Sequence, residues 1–239
     1  MRTCTDFHSH ILPGVDDGSK SVSESLEMLR LEAGRGIRRV VATPHFYAHH
    51  DTPERFLRRR EDALEQLRIA MEGQPELPEI IPGAEVYYFP GMSESEALLE
   101  LTIGENGYIL LEMPQPPWTE TMYREIEAIY VKRGITPILA HIDRYISPFR
   151  THGILKRLEE LPVLIQANSE FFLDRHTSRM ALRMLQSDQI HLLGSDCHNL
   201  TSRKPDLGDA LALIEKRLGE NVVERVCAYE NMILEMGNT

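Results

Sequence analysis

Residues 108–113 read YILLEM, a short apolar run that holds one carboxylate, Glu112, among large hydrophobic side chains. Six further runs of similar length and character recur along the chain. A run that is apolar at almost every position is typical of a strand buried on both faces, as in a parallel sheet. We therefore predict seven strands: Thr3–His8, Arg39–His45, Glu79–Val86, Tyr108–Met113, Thr136–His141, Pro162–Asn168 and Gln189–Asp196.

Helical patterns occupy the segments between these runs and after the last one. Ser21 with Glu24 three residues later has the form of an N-terminal capping box. Pro53 opens the second pattern and Gly73 follows its end, as is common for helices. The predicted helices are Val22–Arg35, Pro53–Met71, Thr119–Arg133, Ile154–Glu160, Thr177–Ser187, Leu207–Leu218 and Asn221–Met236. Strands that alternate with helices indicate an α/β protein with a parallel sheet.

The unusual polar residues fall at the C-terminal ends of nearly all predicted strands, where barrel enzymes assemble their sites. An open, doubly wound sheet is the alternative, but the sequence holds neither a GxGxxG turn nor a phosphate-binding Walker loop. No internal repeat, low-complexity tract or Gly/Ser linker marks a domain boundary. We therefore expect residues 1–239 to form a single barrel domain.

Composition excludes several classes of protein. The 239 residues include 37 acidic and 26 basic side chains, and the net charge of −11 argues against nucleic-acid binding. No stretch approaches the roughly 20 apolar residues that span a bilayer, and the N-terminus lacks the apolar core of a signal peptide. Three widely spaced cysteines exclude a disulfide framework. We expect a cytoplasmic protein that neither inserts into a membrane nor binds nucleic acid.

Six of the seven predicted strands end in side chains that can bind a metal ion. His8 and His10 are two residues apart, as are Asp196 and His198, and such pairs share one face of an extended chain. Burial of Glu112 without a partner is costly, and a cation would remove that cost. The candidate ligands from these strand ends are His8, His10, His45, Glu85, Glu112, His141, Asp196 and His198.

The type and number of these ligands predict the kind of metal centre. Imidazole and carboxylate groups favour Mn, Fe or Zn over a structural site built from cysteines. They exceed the three protein ligands of a typical catalytic zinc, so we expect two or three ions, with carboxylates such as Glu85 bridging them. Ions about 3.5–4 Å apart are the usual apparatus for hydrolysing phosphate esters. Arg144 and Arg203 follow two of the ligand motifs, and we expect their guanidinium groups to bind the phosphate.

Seven motifs in this order resemble those of the PHP superfamily, named for polymerase and histidinol phosphatase: HSHILPGVDDG, ATPH, PGAEVYY, ILLEMP, AHIDRY, LIQANS and GSDCHN. Within that superfamily, the chain is most similar to the bacterial manganese-dependent protein-tyrosine phosphatases linked to capsule and exopolysaccharide production. The resemblance covers essentially the whole chain. It implies a distorted (β/α)7, TIM-like barrel with three metal ions at the C-terminal ends of the strands.

The resemblance also implies residue roles and an activity. It adds Asp17, the second acid of the DDG turn, to the ligands named above; composition alone does not separate it from Asp16. The phosphate-binding arginines correspond to Arg144 and Arg203, and the ions to Mn²⁺, with Fe or Zn as alternatives. The implied reaction is hydrolysis of phosphotyrosine on proteins by a metal-activated hydroxide. The implied partner is a bacterial tyrosine autokinase of capsule or exopolysaccharide synthesis.

Several alternatives stay open at this point. Histidinol phosphatase or another small phosphomonoesterase shares the ligand pattern; a nuclease and a non-catalytic phosphotyrosine-binding scaffold are further alternatives. The sequence lacks a Cys-x5-Arg loop, which argues against covalent catalysis by a thiol. We expect Cys197 to be a packing residue that faces away from the metals. His49 and His50 either border the substrate site or belong to the plain surface. The oligomeric state is left open.

Overall fold

The structure is a computed structural model that describes residues 4–146 and 153–235. The predicted ends of the first strand and the last helix, Thr3 and Met236, lie outside the described residues. The strands are β1 Cys4–Ser9, β2 Ile37–Ala42, β3 His45–Phe46, β4 Glu79–Pro82, β5 Glu85–Tyr87, β6 Tyr108–Glu112, β7 Thr136–Leu139, β8 Leu164–Asn168 and β9 Leu192–Gly194. All their pairings are parallel, as predicted.

The nine strands occupy seven positions, because two of the predicted strands are each split in two. One sheet has the order β1-β2-β4 and the other β3-β5-β6-β7-β8-β9. The sheets share two positions, since β2 runs on into β3 and β4 into β5. Between β9 and β1, the Asp196 amide donates to the His8 carbonyl at 2.7 Å and the His10 amide to the Cys197 carbonyl at 2.9 Å. The parallel sheet therefore curls round into the distorted, seven-position (β/α) barrel that the sequence predicts.

Between Asp6 and Ser9, β1 carries one more residue than the matching stretch of β2. Asp6 pairs with Val40 and Ser9 pairs with Ala42, so three steps along β1 match two along β2. The extra residue is a β-bulge, which redirects the side chains on either side of it. The consecutive residues Phe7 and His8 consequently both face the barrel interior, where Phe7 packs with Val41, whereas Asp6 lies on the outer side of the strand.

Helices cover the outside of the strands. Their bounds are α1 Val22–Gly34, α2 Pro53–Met71, α3 Glu120–Arg133, α4 Ile154–Leu158, α5 Ser169–Leu173, α6 Ser178–Gln186, α7 Leu207–Leu218 and α8 Glu220–Glu235. The predicted helices match seven of these to within two residues at each end, and α5 was not predicted. The Ser21 hydroxyl accepts from the Glu24 amide at 3.2 Å, as predicted, but the Glu24 carboxylate caps the amide of Lys20 rather than that of Ser21.

Apolar side chains fill the N-terminal half of the barrel interior. Phe7, Leu110 and Ile138 meet there with Ile103, which belongs to a short 3₁₀ turn, and with Ile233 near the end of α8. Burying each such side chain contributes about 1.5–3 kcal/mol to folding. The polar groups lie at the C-terminal ends of the strands and therefore at the opposite mouth of the barrel.

Within residues 4–146 and 153–235, no helix has both the length and the apolar character that crossing a bilayer requires.

Candidate metal centre

The structure brings the predicted ligands together at the C-terminal mouth of the barrel. His8 lies in β1, His45 opens β3, and Glu85 opens β5; Glu112 ends β6. The remaining ligands lie in the loops that follow β1, β7 and β9: His10, Asp17, His141, Asp196 and His198. Most of these side chains are buried, while Asp17 is 68% exposed. Residues that are far apart in the chain thus surround one small volume, because the ends of parallel strands meet at one edge of the sheet.

The Glu85 carboxylate lies at the centre of this cluster. Its Oε2 atom is 3.2 Å from His8 Nε2, 3.3 Å from His10 Nε2 and 2.9 Å from His45 Nδ1. Its Oε1 atom is 2.8 Å from His141 Nε2. Burial alone would raise the pKa of Glu85, but the imidazoles outweigh burial and hold this pKa well below its usual range. Glu85 is therefore the carboxylate best placed to contact more than one ion.

Asp196 is the second carboxylate held among imidazoles. Its Oδ1 atom lies 3.5 Å from His8 Nε2 and 3.3 Å from His10 Nε2. Burial raises the pKa of Asp196, but His8 and then His10 lower it more strongly, to well below its usual range. Both buried carboxylates are thus kept in the charged form that binds cations.

Both predicted arginines contact Asp196 rather than standing apart from the ligands. Arg203 Nη2 lies 2.6 Å from Asp196 Oδ1, and Arg144 Nη2 pairs with Asp196 Oδ2. Arg144 Nη1 is also 3.8 Å from Glu112 Oε1. The two arginine side chains are 34% and 37% exposed, so both guanidinium groups lie at the rim between the ligands and solvent.

The two acids of the DDG turn have different partners. The Asp16 Oδ2 atom accepts from His10 Nδ1 at 2.7 Å and from the His45 amide at 2.9 Å. Asp17 Oδ1 lies 3.5 Å from His198 Nε2 and 3.6 Å from His45 Nε2. Asp16 is therefore placed to orient the ring of His10, as carboxylates commonly do for metal-binding histidines. Asp17 instead lies close to the ring nitrogens of two candidate ligands. This geometry favours Asp17 as the ligand.

The donor atoms fit a set of metal ions. Buried polar atoms almost always form hydrogen bonds, yet several atoms here form none of acceptable geometry within the described residues, although an ionisable group lies within 4 Å of each: His45 Nδ1, Glu85 Oε2, Glu112 Oε2, Asp196 Oδ1 and His198 Nε2. Three groups of ligand atoms each lie within 4.8 Å of one another: His10, Asp17, His45 and His198; His8, His10 and Glu85; and His45, Glu85 and Glu112. Imidazole nitrogens and carboxylate oxygens at this spacing are a donor set for first-row transition metals.

His141 and Asp196 belong to none of these three groups, although both contact their members. Each has a positive φ, 33° for His141 and 53° for Asp196. Backbone strain of this kind costs ~1–3 kcal/mol per residue and is typical of functional sites. The two strained positions follow β7 and β9, where the chain turns its side chain inward over the barrel mouth.

The pKa values of two imidazoles in the cluster shift in opposite directions, according to their neighbours. Burial would lower the pKa of His141, but hydrogen bonds to Glu112 and Glu85 raise it to about 9. Burial, His10 and Arg203 together lower the pKa of His198 to about 4. Because a metal ligand must be deprotonated, a cation that enters this centre displaces the proton of His141.

One strand contributes residues that the sequence analysis missed. Gln166 in β8 accepts from the His141 amide through Oε1 at 2.6 Å, and the same atom is 3.4 Å from His8 Nδ1. Its Nε2 atom donates to Asn168, which in turn donates to Asp196 at 3.0 Å. Gln166 and Asn168 are two residues apart in an otherwise apolar run, and this spacing was the signal that could have found them.

Several histidines and one cysteine lie outside the ligand cluster. His50 lines a cavity next to the ligands and His49 is exposed beside it. His191 accepts from the Ile165 amide and packs on Tyr229, which is a structural role, and His152 lies outside the described residues. Cys197 is buried on the outer side of β1 with Asp6 and Glu32, away from the three ligand groups, as expected.

A search of protein families matches the chain to one family. The model of the family described as "Capsular polysaccharide synthesis, CpsB/CapC" covers residues 4–234. Curated relatives include "Tyrosine-protein phosphatase CpsB" of Streptococcus pneumoniae, which is 33% identical over 90% of each chain. "Tyrosine-protein phosphatase YwqE" of Bacillus subtilis is 28% identical over 91% of this chain and 86% of its own length.

A solved structure has the same fold. It comes from crystal structures of YwqE from Bacillus subtilis and CpsB from Streptococcus pneumoniae, described as unique metal-dependent tyrosine phosphatases. The TM-score is 0.83 at 24% identity, and the match covers 97% of this chain and 94% of that one. The likeness extends through the whole barrel that carries the ligand cluster.

Proposed function

The chain belongs to the CpsB/CapC family of capsular polysaccharide synthesis, and from this premise we propose that it is a metal-dependent protein-tyrosine phosphatase. The observation that carries the proposal is the arrangement at the barrel mouth: imidazole nitrogens and carboxylate oxygens converge in groups within 4.8 Å of one another, beside two arginines. Relatives that share most of the chain's length are named tyrosine-protein phosphatases. A phosphate monoester of tyrosine is the substrate that agrees with both the site geometry and the names of the relatives.

The residues that would hold the ions are His8, His10, Asp17, His45, Glu85, Glu112, His141, Asp196 and His198. When bound, such ions lower the pKa of water to near neutral and neutralise charge on the phosphoryl oxygens. Mn²⁺ suits this oxygen and imidazole set, Fe and Zn are alternatives, and two to three ions match the three ligand groups.

The chain's own residues then bind and orient the substrate. Arg144 and Arg203 reach the rim of the centre, where their guanidinium groups bind phosphoryl oxygens and stabilise the charge that develops on them during transfer. Asp16 holds the His10 ring by its Nδ1–H, which keeps Nε2 directed at Glu85 and Asp196. The leaving phenolate, whose conjugate acid has a pKa near 10, departs more readily than an alkoxide and needs a weaker general acid.

Phosphotyrosine proteins are the substrate class of this activity. A bacterial tyrosine autokinase of capsule or exopolysaccharide synthesis is the partner that the family's role favours. A cytoplasmic location agrees with three buried cysteines, none of which forms a disulfide in the described residues. A single domain over residues 1–239 agrees with one continuous barrel.

Steady-state kinetics of the manganese-reconstituted protein test the proposal. The substrates are a phosphotyrosine peptide, histidinol phosphate and single-stranded DNA. We expect hydrolysis of the phosphotyrosine peptide, loss of that activity on chelation, and little effect of thiol alkylation. A higher kcat/KM for histidinol phosphate would reassign the protein to small phosphomonoesters, and cleavage of DNA would reassign it to nucleases.

A further inference from the structure

A cavity of about 460 Å³ adjoins the metal centre and is not used by the reaction described above. On one side it is bounded by Asp17 and His45, which are predicted ligands, and on the other by the start of α2. A substrate whose phosphoryl group lies at the ligands therefore has room to extend into this cavity. Its walls consequently contact whatever is attached to the phosphorylated tyrosine.

Tyr47 forms the wall between the ligands and the rest of the cavity. Its ring stacks on the His45 ring, with centroids 5.2 Å apart and planes at 29°, and it also contacts Tyr87 at 5.6 Å. Aromatic rings offer large, rigid contact surfaces to other rings. The substrate's phenyl group can lie against Tyr47 while its phosphoryl group is held at the metal centre.

The far wall of the cavity carries two arginines and one carboxylate. Asp51, just before α2, and Arg55 and Arg59, in its first two turns, are spaced four residues apart and line the same wall. Arg59 pairs with Asp51, and Arg55 Nε lies 3.5 Å from the same carboxylate. Two guanidinium groups thus share a single acid, which leaves one excess positive charge on this wall.

This excess is notable in a chain with a net charge of −11. Arg55 is 73% exposed and Arg59 is 43% exposed, so both guanidinium groups can exchange Asp51 for an incoming anion at little cost in desolvation. Guanidinium groups bind carboxylate and phosphate oxygens in a two-bonded arrangement. The wall is therefore suited to an anionic group that the substrate itself brings.

We propose that this cavity is a substrate-recognition pocket, in which Tyr47 contacts the phosphotyrosine ring and Arg55 and Arg59 bind an anionic group on a neighbouring residue of the peptide. The inference rests on the proposed phosphatase activity and names the substrate class of that site: phosphotyrosine with an acidic neighbour. The anion is either a carboxylate side chain or a second phosphate, because both match the guanidinium geometry.

Matched peptides test the pocket in the manganese-reconstituted full chain. Three peptides differ only beside the phosphotyrosine, where they carry alanines, glutamates or a second phosphorylated tyrosine. The measured quantity is the kcat/KM of each anionic peptide divided by that of the alanine peptide. The variants are Arg55→Ala and Arg59→Ala, singly and together, and Arg58→Ala, which removes one positive charge, as each single variant does, from an exposed position of the same helix outside the cavity lining.

We expect a ratio of about 3–10 for at least one anionic peptide, on the scale of one or two exposed ion pairs. The ratio should fall to about 1 in the double variant and stay unchanged in Arg58→Ala. The peptide with the larger ratio identifies the carboxylate or the phosphate as the source of the anion. A ratio of 1 in the parent protein, or an equal loss in Arg58→Ala, would overturn the inference.

Binding measurements separate this inference from the proposed activity. Calorimetry with the same three peptides, made with a non-hydrolysable phosphonate in place of the phosphate ester, reports the pocket even if the protein hydrolyses none of the phosphorylated peptides. Tighter binding of an anionic phosphonate peptide that depends on Arg55 and Arg59 supports the pocket. Equal binding of all three peptides contradicts it, whatever the kinetics show.

Discussion

Glu85 and Glu32 are both glutamates without exposed surface, yet their pKa values shift in opposite directions. Glu85 lies inside the barrel mouth among imidazoles, which hold its pKa well below the usual range. Glu32 lies on α1 outside the barrel, where burial first and the Asp6 carboxyl second raise its pKa well above the usual range. Equal burial therefore accompanies opposite shifts of the pKa, because the neighbouring groups decide the direction.

Asp6 is a second buried acid of this outer region and lies next to Glu32. Burial raises the pKa of Asp6 to about 6, although hydrogen bonds from Ser195 lower it again in part. Both carboxylate oxygens of Glu32 lack hydrogen-bond partners within the described residues. The charge of His8 lowers the pKa of Asp6 less than burial raises it, whereas four imidazoles together outweigh burial at Glu85. The comparison shows that the direction in which the pKa of a buried carboxyl shifts here depends on how many imidazoles contact it.

Asp6, one of the outer acids, also holds the backbone next to Asp196 of the inner site. The Asp6 carboxylate accepts from the Ser195 amide at 2.9 Å and from the Ser195 hydroxyl, and the Ser195 hydroxyl accepts from the Cys197 amide at 3.1 Å. Asp196 lies between these two anchored residues, with its strained φ of 53°. Asp6 thus holds the turn that presents Asp196 to the ligands.

The largest expected effect comes from removing the inner charge with Glu85→Gln. An amide cannot supply the negative charge that the ions require, so metal content should fall by at least one ion per chain. We expect kcat/KM to fall by roughly 10³ or more, since bound ions supply several kcal/mol of charge stabilisation. Elemental analysis and kinetics on a phosphotyrosine peptide measure both quantities. Normal metal content in this variant would show that Glu85 is not a ligand of the ions.

The next effect should come from the arginines at the rim. Guanidinium has no acceptor atom for a cation, so Arg144→Ala and Arg203→Ala should keep near-normal metal content. Each should lower kcat/KM by roughly 10²–10³, the scale of losing one fixed charge-stabilising donor. Lysine at either position should restore activity only in part, because it cannot form two parallel hydrogen bonds.

Metal analysis beside kinetics checks the arginine variants, with Arg58→Ala as the matched control on an exposed surface. Unchanged activity in both rim variants would show that the two arginines serve only to pair with Asp196.

The same replacement of glutamate by glutamine should stabilise the protein when it is made in the outer region, at Glu32. The pKa of Glu32 is raised in the folded protein. The stability that its neutral carboxyl contributes is therefore fully present below the pKa of the unfolded chain, and it is lost as pH rises through the pKa of the folded protein. Glu32→Gln abolishes this loss and should raise the free energy of unfolding at pH 8 by about 1–3 kcal/mol. Urea unfolding at pH 5 and pH 8 measures the difference. A variant less stable than the parent at pH 8 would mean that Glu32 has a cationic partner.

The smallest expected effect concerns Glu230, whose carboxylate accepts from the Thr5 amide at 2.9 Å on the same outer side of β1. Burial, followed by Cys4, raises its pKa from 4.5 to about 8, so it destabilises the fold progressively between those two pH values. Glu230→Gln keeps an acceptor for Thr5 and should raise stability at pH 8 by about 1 kcal/mol. Thermal unfolding between pH 4 and pH 9 should show a flatter profile than the parent, and parallel profiles would contradict the shift.

The sequence predicted the barrel and the position of the ligands at its mouth because both depend on local pattern. Apolar runs such as YILLEM predicted the buried parallel strands, and polar residues at their ends predicted the site. The same reasoning missed Gln166 and Asn168, because only the folded barrel shows that these polar side chains contact His141 and Asp196. It also did not predict that Arg144 and Arg203 would converge on one carboxylate, since their loops follow different strands.

The spacing of His8 and His10 by itself determined that both rings share a face of β1, because side chains alternate along an extended chain. The same alternation would have placed Asp6 on that face, among the ligands. Only the tertiary structure decided otherwise: the extra residue of β1 opposite Val41 turns Asp6 outward to Glu32 and Ser195. A bulge depends on the hydrogen-bond register with a strand more than thirty residues away, and local sequence does not contain that register.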